Sequence, residues 1–257
     1  MTTYLDRILE RHRHVAAGDT RSVDGLIAEA ASLPATRGFR RVLAGADRLA
    51  VIAEIKRRSP SKGDLRQSLD PAVLAATYER GGASCLSVLT DEEFFGGSAA
   101  DLRAARRACS LPVLRKDFTV SALDVADARL MGADCVLLIA AALEEPELVD
   151  LHRLAIDVGL DVLVEIHGEA DLDVALAVGA TLIGVNQRDL ITFAVDHQRA
   201  VRMASVIPDD VVKVAESGVR DGDDARALRD AGYHAILVGE TLVTADDPAA
   251  AIAGMLT

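Results

Sequence analysis

Lysines and carboxylates recur at one kind of place in this chain, the end of a short apolar run. Glu54 and Lys56 close "LAVIAEIK", Lys116 and Asp117 close "PVLRKDF", and Glu165 stands late in "DVLVEIH". Asn186 ends "LIGVNQ", Glu216 and Ser217 end "VVKVAESG", and Gly239-Glu240 end "AILVGE". A lysine among such groups can donate a proton, form a Schiff base with a carbonyl, or bind an anion. Desolvation or a neighbouring cation would lower its pKa and favour the first two roles. The competing reading is a plain ion pair, Lys56 with Glu54 or Lys116 with Glu165, and for a single lysine the two stand level. Two lysines and a carboxylate on three separate runs tilt the balance toward catalysis.

The elements that must position these groups form a repeat. Eight apolar, β-rich runs follow one another from residue 49 onward, the remaining ones being "CLSVLT" and "CVLLIA". They lie roughly 20 to 35 residues apart, room for a loop, a helix and a return loop. The segments between them, such as "PAVLAATYERGG", "SALDVADARLMGAD" and "EADLDVALAVGA", carry helical periodicity and several end in glycine, a common C-terminal cap. Strands alternating with helices imply parallel pairing, and eight such units predict a single (β/α)8 TIM barrel. A Rossmann-type sheet would want G-x-G-x-x-G after an early strand, and no such turn is present. In a barrel the active site gathers at the carboxyl ends of the strands. Alternation along the first strand puts Glu54 and Lys56 on one face, near that mouth. Residues 1–46 precede the repeat, and Leu5, Ile8, Leu9 and His12 at helical spacing predict an extra helix packed against the barrel of residues 47–257, the whole forming one structural domain.

Ser217-Gly218 and Gly239-Glu240 follow the last two strands, where barrel enzymes often bind phosphate; glycine lets the backbone approach an anion closely. Phe94 and Phe95 in "FFGGS" could line an aromatic pocket or simply anchor the loop. Lys213, mid-strand, could join an inner charge layer or contact the substrate. His12 and His14 in "RHRH" lie on different sides of a helix, so a solvated face is the expectation rather than a metal site. His152, His167, His197 and His234 show no metal-ligand spacing. "EEPE" at 144–147 reads as an acidic helix start with proline in the first turn.

Composition narrows the function classes. With 257 residues and 50% hydrophobic content the chain can bury a large core, and 3% aromatics with no tryptophan make that core aliphatic. A net charge of −12 argues against nucleic acid or an anionic membrane as partner. The amino terminus lacks the apolar core of a signal peptide, and no run reaches the roughly 18 apolar residues of a membrane span. Three cysteines without C-x-x-C spacing read as reduced thiols in a cytoplasmic protein. Few surface aromatics favour a monomer, with a weak homodimer as the alternative.

From about residue 49 to 253 the chain resembles indole-3-glycerol phosphate synthase. The motifs that carry the resemblance are "AEIKRRSPSKG", "SVLTDEEFFGGS", "LPVLRKDF", "GADCVLLIAAAL", "LVEIHGEAD", "IGVNQRDLITFAVD", "AESGV" and "LVGETLV". The segment before them resembles the family's amino-terminal extension, which lies over the active-site mouth. The resemblance implies ring closure with decarboxylation and dehydration of 1-(2-carboxyphenylamino)-1-deoxyribulose 5-phosphate, without metal or organic cofactor. The products would be indole-3-glycerol phosphate, carbon dioxide and water. By motif, Lys116 resembles the general acid and Glu165 the general base. Lys56 resembles the lysine that meets the substrate carboxylate and serves as a second acid. Glu54 and Asn186 look like positioning groups, and Arg188, Glu216 and Ser217 fall among the substrate contacts. Ser59, Gly218, Gly239 and Glu240 match phosphate-loop positions, and Phe95 and Phe118 match contacts to the anthranilate ring.

The chain departs from the family pattern at Gln187, where asparagine is frequent, and at Ala215, where serine is frequent. It ends soon after the eighth helix, so fusion to a second barrel is not expected. A Schiff-base aldolase using Lys116 or Lys213, and a ligand-binding relative without turnover, remain as alternatives. Borohydride trapping and a turnover assay separate them.

Overall fold

In a computed structural model that describes residues 3–256, the eight apolar runs are strands. They are β1 (Ala50–Ile55), β2 (Cys85–Leu89), β3 (Val113–Lys116), β4 (Cys135–Ile139), β5 (Asp161–Ile166), β6 (Leu182–Asn186), β7 (Val212–Glu216) and β8 (Ala235–Val238). Each pairs in parallel with the next. β1 closes the ring on β8, in a register running from Ala50–Ala235 to Ala53–Val238. Among the described residues, therefore, eight strands close into the (β/α)8 barrel that the repeat predicts.

Side-chain alternation divides each strand between two cores. Ala50, Ile52, Leu114, Leu137, Leu163, Val214 and Leu237 fill the barrel interior. Val51, Ala53, Ile55, Val88, Val136 and Val164 pack outward under the helices. Burial on both faces is why the strands read as continuous apolar runs. Helices re-enter by local signals: Asp70, Ser98, Ser121 and Asp221 each accept a backbone N–H at a helix start. Returns to the sheet use glycine in the left-handed region, as at Gly132 (φ 97°) and Gly232 (φ 98°).

The amino-terminal segment holds α1 (Tyr4–Gly18), α2 (Val23–Ser32) and α3 (Phe39–Ala44), three helices where the spacing predicts one. Pro34 follows the end of α2 and forces an extended link before α3. The three helices meet different parts of the barrel. α1 stands at the carboxyl end, with Tyr4 edge-on to Phe94 and Phe193 and Arg13 paired with Glu147. α2 packs on α6 (Ala122–Leu130). α3 fills the amino end, where Phe39 and Leu43 join the interior core. α7 (Glu145–Asp157) begins at the acidic, proline-containing start expected of 144–147.

Cys85 and Cys135 are buried in the interior and Cys109 is half-buried, all three unbridged; burial pushes their thiols up. No helix among the described residues is long and apolar enough to cross a membrane.

Candidate active site

A cavity of about 370 Å³ opens at the carboxyl ends of the strands. Glu54, Lys56, Lys116, Glu165 and Asn186 line it, together with Ser59, Phe95, Phe118, Arg188, Ser217, Gly218, Gly239 and Glu240. Of the residues assigned to the site by motif, Glu216 is the one behind the wall, where its carboxylate reaches Lys116. Leu137, Ile139 and Leu237 form an apolar floor continuous with the interior core.

The charged groups fall into two sets at the mouth, Lys116 with Glu165, Glu216 and Asn186, and Lys56 with Glu54, because the alternate strands β1, β3, β5 and β7 point Glu54, Lys116, Glu165 and Glu216 into one barrel interior. Lys116 Nζ donates to Glu165 Oε2 at 3.0 Å and lies 3.3 Å from Glu216 Oε2. Asn186 Nδ2 donates to the other oxygen of Glu165 at 3.0 Å. Lys56 Nζ pairs with Glu54 Oε1 at 2.6 Å, and Ser87 Oγ approaches Glu54 Oε2 at 3.4 Å. Both ion pairs weighed against catalysis thus exist in the structure. The cluster is nonetheless unsaturated, since Glu216 Oε1 is buried without a hydrogen-bond partner.

Electrostatics separates the three groups at its centre. Burial works against the Lys116 charge, but Glu165, Glu216 and Glu54 outweigh it and hold the ammonium well above its ordinary range. Burial also raises the Glu165 pKa, yet Lys116, His167 and the Asn186 hydrogen bond overcome this and keep the carboxylate ionised. For Glu216 burial prevails, helped by Glu165 and Glu54 and opposed by Lys116, and lifts its pKa to about 7. Two carboxyls on one lysine therefore settle differently, Glu165 held ionised and Glu216 pushed toward its protonated form.

Two glycines make room for this cluster. A Cβ on Gly184 would stand 2.0 Å from Glu216 Oε1, and one on Gly239 would stand 2.3 Å from Glu54 Oε1 and 3.2 Å from Lys56 Nζ. The expectation for Gly239 is a phosphate loop; what its missing side chain accommodates here is the Glu54–Lys56 pair. Beyond the cluster, Lys62, Arg188 and Arg220 bring positive charge to the lining near Ser59, Gly218 and Glu240. Arg188 is held by its donation to Ser61 Oγ at 3.3 Å and to Phe193 O at 3.2 Å. Ser217 (φ 67°) and Phe193 (φ 59°) are the non-glycine residues with left-handed backbones among those described, and both line the cavity. Such strain collects at binding sites, where the surrounding fold over-determines it.

On another part of the wall the rings of Phe95 and Phe118 face each other with centroids 6.2 Å apart. Only Phe95 of the "FFGGS" pair lines the cavity; Phe94 is buried beneath Tyr4.

Several side chains stand elsewhere than the sequence reading puts them. His14 is exposed as expected, but His12 is not solvated: its Nε2 lies 3.0 Å from Asp91 Oδ2 and 3.7 Å from Asp117 Oδ1 at the barrel mouth. Helical spacing separates the two histidines but does not show which side docks. Lys213 contributes neither to an inner charge layer nor to the cavity. It sits between inward-facing Val212 and Val214, points outward, and donates to Ala204 O at 3.0 Å. Gln187 donates to Ser217 O at 2.8 Å and so braces the loop after β7, while Ala215 packs in the outer core. Asp91, Lys62 and Arg220 were missed, although each lies within or beside a quoted motif. Among the described residues, His12, Asp91 and Asp117 form the one grouping with metal-ligand proximity, their donor atoms within 4.8 Å of one another. Those donors are already engaged, Asp91 by two backbone N–H groups and His12, and Asp117 by Arg115 and Thr90.

Solved structures share this architecture at low identity, which bears on the fold alone. A 3-hexulose-6-phosphate synthase matches with a TM-score of 0.65 at 16% identity, covering 80% of this chain and 98% of its own. A thiamine phosphate pyrophosphorylase from Pyrococcus furiosus gives 0.59 at 15% identity, with 80% and 93% covered. An N-acetylmannosamine-6-phosphate 2-epimerase from Clostridium perfringens gives 0.60 at 12% identity, with 75% and 86% covered. The sequence itself is more specific, because the indole-3-glycerol phosphate synthase family model matches residues 5–255. With nearly its whole length matched, the chain belongs to the indole-3-glycerol phosphate synthase family.

Proposed function

We propose that the chain converts 1-(2-carboxyphenylamino)-1-deoxyribulose 5-phosphate to indole-3-glycerol phosphate, carbon dioxide and water, as a carboxy-lyase of tryptophan biosynthesis. The observation that carries this reading is Lys116, half-buried at the mouth between Glu165 and Glu216, with Lys56 at the end of β1, two strands away.

The substrate lies with its phosphate toward Ser59, Gly218, Gly239 and Glu240, where Lys62, Arg188 and Arg220 supply positive charge. Its aromatic ring occupies the wall of Phe95 and Phe118. The ring carbon that bears the carboxylate attacks the ribulose carbonyl carbon, and Lys116 donates a proton to the oxygen as the carbon–carbon bond forms. An alkoxide is a stronger base than an amine, so this transfer runs downhill even from a tightly held ammonium. Lys56 leaves its partner Glu54 to meet the substrate carboxylate. That carboxylate departs as carbon dioxide, and its bonding electrons restore the aromatic ring. In the dehydration Glu165 takes the proton whose loss forms the new ring double bond, while Lys56 donates to the leaving hydroxyl. Two protons are given and one is taken, so each turnover draws one proton from solvent.

Asn186 and Glu54 position the acid and base, and Glu216 and Ser217 complete the polar wall. No step calls for a metal or an organic cofactor. The same reading places the enzyme in the cytoplasm as a monomer, with neither nucleic acid nor membrane as partner. It takes residues 1–46 as an extension that folds with the barrel of residues 47–257 as one unit; Phe39 and Leu43, fully buried in the interior core, support this.

The test is turnover of the substrate, followed by indole fluorescence in chelator-treated buffer, with the unaltered protein and Lys116→Ala. Indole formation that falls by roughly 10²–10⁴-fold in the variant is the expected result. Binding without turnover by the unaltered protein would sink the reading in favour of a non-catalytic relative.

A further inference from the structure

His12 belongs to α1, outside the barrel, yet its imidazole stands between the two carboxylates that hold the loops bearing the aromatic wall. Asp91 Oδ1 accepts the backbone N–H of Phe94 at 2.6 Å and of Phe95 at 3.1 Å, while Oδ2 meets His12 Nε2 at 3.0 Å. Asp117 Oδ1 accepts the N–H of Phe118 at 2.9 Å and lies 3.7 Å from the same Nε2. The other oxygen of Asp117 is held by Arg115 and Thr90. The His12 ring also rests against Phe118, with centroids 5.6 Å apart. One side chain thus touches the carboxylate behind Phe95, the carboxylate behind Phe118, and the Phe118 ring itself.

We infer that His12 is a positioning residue for substrate binding: by bridging Asp91 and Asp117 it sets the separation of the Phe95 and Phe118 rings. The inference rests on the proposed function, which is what puts an aromatic ring against this wall. Its physical basis is that Asp91 and Asp117 are both buried, and buried carboxylates need compensation. Arg115 supplies it for Asp117, and His12 supplies it for Asp91. Without the imidazole two negative groups would face one another across the junction of the loops. Asp91 would then turn toward water, loosening the turn that carries Phe95.

The groups facing His12 are Asp91 from the loop after β2, Asp117 and Phe118 after β3, and Asp124 from α6. Its own neighbours Arg11 and Arg13 turn away to Glu93 and Glu147. Burial opposes the imidazolium, but the Asp91 hydrogen bond and the charges of Asp117, Asp91 and Asp124 prevail and raise its pKa above the ordinary value. A raised histidine keeps its ionic link at low pH and loses it as pH rises through the raised pKa.

His12→Ala and His12→Gln test this, with KM, kcat, and the Kd of the substrate analogue whose ketone is reduced to an alcohol. The expected result for His12→Ala is a rise of about tenfold in KM and in Kd, with kcat within about threefold. His12→Gln retains an N–H for Asp91 and recovers part of the loss; it also gives the comparison if alanine frees α1 altogether. KM of the unaltered enzyme climbs more steeply with rising pH than that of either variant, in which only the other titrating groups of the site and the substrate remain. KM and Kd within twofold of the unaltered protein, a fall confined to kcat, or a rise of KM with pH that is as steep in the variants would each overturn the proposal. The analogue's Kd scores His12 without turnover. A protein that binds it but forms no indole defeats the proposed function and leaves this inference to be judged on the Kd ratio.

Discussion

The two ends of the barrel both carry buried charge, but they treat it differently. At the amino end Asp134, fully buried, accepts the backbone N–H of Arg37 at 2.7 Å and of Val113 at 2.8 Å, and pairs with Arg106. Asp161 accepts the N–H of Arg40 at 2.9 Å, and the Arg37 guanidinium reaches Leu111 O at 2.7 Å and Cys109 O at 3.0 Å. At the mouth Glu216 Oε1 has no partner, and Lys116 is shared by two carboxylates. At the amino end the chain itself saturates the charge, whereas at the mouth one lysine is divided between two carboxylates and one carboxylate oxygen is left unpaired. The amino-terminal segment contributes to both regimes, with a saturated clamp around Arg37 below and His12 above.

Breaking the saturated end should cost stability and spare chemistry. Asp134→Ala leaves two backbone N–H groups and the Arg106 guanidinium without their acceptor. Removing one member of such a buried set costs about 3–5 kcal/mol, which at this chain length lowers Tm by roughly 10 °C. The enzyme that remains folded should keep kcat within about threefold of normal. Denaturant unfolding and a rate measured well below the transition check the two halves separately. An unchanged midpoint would mean that saturation at this end does not stabilise the fold.

The unsaturated end should behave in the opposite way, and pH shows it. Glu216 titrates near 7 when folded against an ordinary 4.5, because burial and Glu165 disfavour its charge. The folded state therefore holds a proton that the unfolded chain has released. The cost of ionising Glu216 is absent below the unfolded pKa, grows as pH rises from there to about 7, and levels off above it. Glu216→Gln removes that cost, so its Tm should exceed that of the unaltered protein by on the order of 5 °C at pH 8. The gain should shrink steadily toward pH 5. A gain independent of pH would point to packing instead, and a loss at pH 8 would show that the carboxylate is needed to hold Lys116.

How much of this was legible depended on the range of the interaction. The eight strands could be read because burial on both faces writes an apolar run into local sequence. Lys56, Lys116, Glu165 and Asn186 could be placed at one mouth because they end such runs, and parallel strands put their ends together. The docking of α1 could not be read in this way. Helical spacing separates His12 from His14, but the partner that selects His12 is Asp91, 79 residues away. Nothing local marks Asp134 within "GADC", since the backbone it braces at Arg37 is 97 residues distant. Lys213 is a different case, because the signal was present. Glu216 and Val214 share one face of β7, so position 213 belongs to the other.

That strand alternation yields the smallest and most discriminating expectation. Lys213 and Lys116 both sit on barrel strands, the first buried and facing out, the second half-buried and facing in. Lys213 Nζ donates to Ala204 O, at the last turn of α9 (Arg199–Ala204), and lies 3.4 Å from Asp209, whose carboxylate is exposed. Lys213→Met keeps the length of the side chain and removes its charge. The lost bond to Ala204 O is offset by dropping a buried ammonium, so the net change in stability should stay within about 1.5 kcal/mol. Because the side chain points away from the cavity, kcat and KM should both stay within about twofold. Lys116→Met has similar volume chemistry but faces the substrate, and should lose activity by orders of magnitude. If Lys213→Met instead lost tenfold or more in kcat/KM without loss of stability, β7 would have to be turned over, and Glu216 would no longer stand beside Lys116.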